Sequence, residues 1–128
     1  MGYLKHHAIV VSSWRKTEMY AAHEKANDIF GKVSSFGYPS AEVLVSDMMT
    51  GIANEQYTFF IAPDGSKEGW EPSNDCDDAR EEFLNWLRDS QLFVDYVQIS
   101  FGGDFESDNE GPQIDRSKVL DFGTEADQ

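Results

Sequence analysis

The chain has a single cysteine, Cys76, among its 128 residues. A lone cysteine excludes an intrachain disulfide and suits a reducing compartment, so a cytoplasmic setting is expected. Cations are scarce: 10 Lys+Arg stand against 24 Asp+Glu, for a formal charge of −14. Nucleic-acid binding draws on cations set against phosphates, so a DNA or RNA role is disfavoured, and so is adsorption to an acidic membrane surface. No apolar run reaches the length of a membrane span. Residues 1–14 carry one lysine, a short apolar run and no small-residue cleavage pattern, and are read as mature sequence. The acidity itself is compatible with simple solubility, with a basic protein partner, or with mimicry of nucleic acid.

Hydrophobic residues make up 40% and aromatics 13% of the chain, enough for one domain with one modest core. Residues 4–13 read as a strand around Ala8-Ile9-Val10-Val11. Residues 15–30 read as a helix, with Met19, Ala22, Ala26 and Ile29 or Phe30 at helical spacing and Gly31 placed just past its end. After a loop over 34–40, residues 41–48 and 55–62 read as two strands of a hairpin turning near Gly51. Residues 77–90 predict a second helix, with Ala79, Phe83, Trp86 and Leu87 on one face and Asn74, Asp75 or Asp77 as its cap. Residues 95–101 predict a fourth strand. The order β-α-β-β-α-β predicts an α+β, ferredoxin-like sandwich, an antiparallel sheet with both helices on one face. That domain spans 1–103. Residues 104–128 form an acidic C-terminal extension in which 118–122, KVLDF, has the composition of a short extra strand.

Strand alternation sorts the faces. Val97, Ile99 and Phe101 are the apolar set of the fourth strand and are expected to face the helices with Ile9 and Val11. The open face then carries His6, Val10, Phe60 and Tyr96 among small and polar residues. Such a face is too apolar to be left in water. Three covers are open at this stage: a second copy of the chain, the extension folding back with Val119, Leu120 and Phe122, or a ligand or other protein.

Catalytic and metal chemistry finds little footing. In FFIAPDGSKEGW, Gly65 and Gly69 flank Lys67, but the Gly-Lys-Ser/Thr ending of a phosphate loop is absent, and Asp64, Glu68 and Glu71 repel an anion. The stretch is read as a type I turn leading to a helix cap, with Trp70 and Pro72 as anchors. His6 and His7 are adjacent on a strand and point to opposite faces, and His23 and Cys76 complete no zinc spacing. Acids around Cys76 oppose its ionisation, which argues against a nucleophile. The alternation Asp104, Glu106, Asp108, Glu110 suggests a calcium loop, but Gly111 comes late and no glutamate stands at the twelfth position. No cofactor and no metal are expected.

The segments HHAIVVSSW (6–14), FFIAPDGSKEGW (59–70) and DDAREEFLNWL (77–87) resemble a group of small uncharacterised proteins encoded by tailed bacteriophages. The resemblance implies a viral origin and a setting in the host cytoplasm. It carries no activity and no catalytic residues. The expected function is a non-catalytic acidic binding protein, a homodimer through the open sheet face, with a basic host protein as a further partner. The alternative is a small-molecule binder or enzyme with a site near His6, Phe60 and Tyr96.

Overall fold

β1 (Lys5–Ser13) lies in the middle of the sheet, between β3 (Tyr57–Ile61) and β4 (Asp95–Gly102). The computed structural model describes residues 5–33, 40–65, 71–102 and 113–116. β2 (Met49–Thr50) flanks β3 and β5 (Gln113–Arg116) flanks β4, giving the order β2-β3-β1-β4-β5 with every pair antiparallel. α1 (Lys16–Gly31) follows β1, and α2 (Glu71–Ser90) follows β3. The described residues thus form an α+β fold, with one antiparallel sheet and two α-helices.

The helix-side core is built on β1's alternation. Ile9 and Val11 are fully buried, with Phe59 and Ile61 beside them on β3. α1 contributes Met19, Ala22, Ala26, Ile29 and Phe30, one stripe at helical spacing. Phe59 joins the layers: its ring lies 4.8 Å from His23 of α1 and 6.4 Å from Phe83 of α2. Each fully buried Val, Ile, Met or Phe side chain among these stabilises by roughly 1.5–3 kcal/mol relative to exposure. Gly31 is the last helical residue of α1 rather than a left-handed residue beyond it. The helix ends instead when Lys32 and Val33 donate their N–H groups to Ile29 and Phe30 oxygens.

Two elements differ from the sequence expectation. The expected strand over 41–48 is mostly irregular. Ala41–Leu44 form a 3₁₀ turn started by the Ser40 hydroxyl, which accepts from the Glu42 N–H at 3.2 Å. Strand pairing survives at Val45, opposite Ile61, and resumes at Met49, opposite Thr58. Four residue steps therefore oppose three, the signature of a bulge. Ser46 bridges the gap. Its N–H donates to the Phe60 oxygen at 2.8 Å, and its hydroxyl accepts from the Phe60 N–H at 2.9 Å, where a backbone carbonyl would otherwise stand.

α2 begins six residues earlier than expected, at Glu71. Pro72 sits in the first turn, where its missing N–H costs nothing. Asn74, Asp75 and Asp77 are therefore inside the helix and not its cap. The buried stripe starts at Ser73 and Cys76, whose small side chains hid it from a count of large apolar residues.

Arg80 occupies a position of that stripe where an apolar residue is expected, and it is only 2% exposed. Its Nη1 donates to Asp64 Oδ1 at 3.2 Å and its Nη2 to Asp77 Oδ1 at 2.5 Å. The Asp64 side chain is also buried, so the pair clamps the segment after β3 onto α2. Removing one partner of a buried pair strands a charge in the interior. Arg80→Met leaves the buried Asp64 carboxylate without its cation and is expected to lose about 3–5 kcal/mol of unfolding free energy. The double variant Asp64→Leu/Arg80→Met is expected to lose clearly less, because no buried charge is left alone. Urea unfolding of both variants checks this; equal losses would remove the ion cluster as the cause.

Candidate functional site

The register with β1 fixes what the open face carries. His6 stands opposite Phe101, Ala8 opposite Ile99, and Val10 between Phe60 and Val97. Met49, opposite Thr58, extends this apolar field to the β2 edge. Phe60 is 39% and Phe101 38% exposed, and Met49 is exposed as well. The His6 and Phe101 rings are 5.2 Å apart at one end of the field. The other end is polar: the Ser12 and Thr58 hydroxyls are 2.9 Å apart, and Gln56 Nε2 donates to Ser12 Oγ at 2.9 Å.

Of the expected open-face residues, His6, Val10 and Phe60 share that face, but Tyr96 does not. Tyr96 lies opposite Val11 and is 7% exposed within the helix-side core. The whole of β4 is inverted relative to its hydrophobic alternation, and Val97, Ile99 and Phe101 face outward. The reason is packing at the start of the strand. Val94 and Tyr96 enter the core together, so the aromatic ring fills the space under the helices. Gln98 and Ser100, on the same side, are only half-buried. The Val94–Tyr96 spacing of two was the available signal for this inversion.

The remaining candidates are dispersed. His7 faces the helix side and shares a 2.8 Å hydrogen bond with the Ser100 hydroxyl across the β1–β4 pair. His23 Nε2 donates to the Ser46 carbonyl oxygen at 2.8 Å, which ties α1 to the bulge. Cys76 is buried, and burial pushes its thiol up from the ordinary 9.0 to about 11, with Asp64 adding in the same direction and Arg80 opposing. Among the described residues no group of three His, Cys, Asp or Glu side chains is placed to hold a metal ion. The loop of 66–70, the acidic alternation of 104–110 and the expected strand of 118–122 lie outside the described residues, as do Val119, Leu120 and Phe122. An additional edge strand is seen at Gln113–Arg116, its register running from Val97 opposite Arg116 to Ser100 opposite Gln113.

Two measurements follow from Tyr96 and Cys76. Tyr96→Ser is expected to cost about 3 kcal/mol of stability, as for other emptied aromatic sites, read by denaturant unfolding. A change in self-association without loss of stability would return Tyr96 to the open face. Alkaline pH is expected to weaken the fold. Burial raises both the Cys76 thiol and the Tyr96 hydroxyl above their ordinary values. Their contribution is complete below the unfolded-state values and is lost as pH rises through the folded ones. The thiolate's ultraviolet absorbance should therefore appear with a midpoint about 11 in native protein, and a midpoint near 9.0 would contradict the burial.

Comparison with protein families, with curated proteins and with solved structures finds no match to this chain.

Proposed function

We propose that this chain is a non-catalytic interaction protein with a ferredoxin-like arrangement, and that its open sheet face binds a second copy of itself. The strand order, with β3 and β4 on either side of β1, α1 preceding the β2–β3 pair and α2 preceding β4, supports the arrangement. The observation that carries the function is the composition of the open face. Val10, Phe60, Val97, Ile99 and Phe101 lie on three adjacent strands, with two phenylalanine rings exposed. A sheet face that packs on its own copy is the same surface on both partners, which suits a closed two-fold pair. The formal charge of −14 supports a basic partner in addition, in keeping with the resemblance to phage proteins and a host-cytoplasm setting. No helix among the described residues is long and apolar enough to cross a membrane.

Phe60→Ser/Phe101→Ser is expected to turn a dimer into a monomer while the circular dichroism of the helices is unchanged. Sedimentation velocity and native mass spectrometry read the mass. A wild-type chain that stays single at micromolar concentration would sink the proposal.

A small molecule on the same face is a second reading, favoured by the His6–Phe101 ring contact. It is centred on His6, Phe60 and Phe101, since Tyr96 lies on the other side of the sheet.

A further inference from the structure

Beyond the end of β1 the surface changes character. Trp14 is 57% and Phe93 38% exposed, and their rings meet edge to face at 5.9 Å. The Arg15 guanidinium rests over both, 5.1 Å from the Trp14 centroid and 5.0 Å from that of Phe93. The Phe93 backbone is held from both sides. The Ser13 hydroxyl donates to the Phe93 carbonyl oxygen at 2.8 Å and accepts from the Arg15 N–H at 3.0 Å. The Glu18 carboxylate accepts from the Phe93 N–H at 2.7 Å and lies 3.9 Å from Arg15 Nε. Both backbone polar groups of Phe93 are thus tied down by side chains from β1 and α1.

Two exposed aromatic rings beside a carboxylate form a surface whose electrostatics favour a cation. The chain's own arginine demonstrates that preference. Trp86 of α2 also has a cation beside it, with Lys25 Nζ of α1 5.9 Å from its centroid. At a formal charge of −14, the long-range field also draws cations toward the surface.

We infer that the Trp14–Phe93–Glu18 surface is a docking point for an arginine or lysine side chain of a basic protein partner, with Arg15 as an internal stand-in that the partner's cation displaces. The inference deepens the basic-partner part of the proposed function and is independent of the dimer. The occupant is cationic because the rings and Glu18 attract positive charge, and an acidic segment would meet Glu18 and the field of the whole chain.

The test is calorimetric titration with a short capped oligoarginine peptide at low and physiological salt. Trp14→Leu removes a ring without changing charge and is expected to weaken binding about threefold or more, the scale of one exposed cation–π contact. Arg15→Gln is expected to tighten binding, and the gain should vanish in Trp14→Leu/Arg15→Gln. Circular dichroism checks that each variant folds. Should Trp14→Leu fail to fold, Phe93→Leu takes its place in both the single and the double variant. Equal binding by wild type and Trp14→Leu would overturn the aromatic site while leaving a diffuse acidic attraction to basic partners. No binding by either protein would overturn the site and the basic-partner reading together. An Arg15→Gln gain that persists without Trp14 would reduce Arg15 to a simple charge effect and also overturn the inference.

Discussion

β1 pairs with β3 on one side and β4 on the other, and its side chains alternate between two environments that could hardly differ more. Ile9 and Val11 are sealed under the helices, whereas His6, Ala8, Val10 and Ser12 line the open face. A slip of one residue against either neighbour would turn the core set outward and the open set inward. The register therefore fixes two things at once. It places Phe59 and Ile61 where α1 and α2 can cover them, and it aligns Val10 with Phe60 and Val97 on the far side. The core and the candidate interface are consequences of one alignment, so neither can be changed by sliding a strand without losing the other.

The Arg80 cluster constrains the fold in a different way. Hydrophobic burial is tolerant of position, but a buried guanidinium with two carboxylates is not. Asp64 arrives from the segment after β3 and Asp77 from the helix itself, so the register of α2 along the sheet is tied to the point where β3 ends. The same cluster sets the chemistry of Cys76. Desolvation and Asp64 outweigh Arg80, and the thiol stays protonated in the range where a nucleophile would need to ionise. A cysteine near the start of a helix is thus held inert by its surroundings.

Much of the fold is legible in the pattern of residues, and each departure from it has its own physical cause. β1, β3 and α1 carry strong periodicity and were placed within a residue or two. Alternation through β3 puts Tyr57, Phe59 and Ile61 on one face, and they are buried together. β4 was inverted because hydrophobicity alone favours Val97, Ile99 and Phe101 as the inward set. Tertiary packing instead chose the bulk of Tyr96, which alternation cannot weigh. The start of α2 was missed because its first buried positions are Ser73, Cys76 and Ala79, too small to register as a stripe. The bulge at β2 depends on Ser46 imitating a backbone carbonyl, a role that no local pattern announces. For the candidate site, three of the four expected residues share the open face, and the correction of β4 makes that face more apolar, with Phe101 and Ile99 in place of Tyr96.

The two surfaces also differ in what can bind them. The open face is apolar across three adjacent strands, and a contact there would draw on area with little directional demand. The Trp14–Phe93 surface is small, but the Ser13 hydroxyl donates to the Phe93 carbonyl and the Glu18 carboxylate accepts from the Phe93 N–H, so the Phe93 backbone is held before any partner arrives and a cation docking there would pay less for ordering it. Trp14 directly follows Ser13, where β1 ends and its alternation stops governing side-chain direction. A second copy packed on the open face would therefore leave this surface available at the end of the sheet. A two-fold pair would then display two such surfaces, and a basic partner with several cations could engage both, gaining avidity that neither surface provides alone.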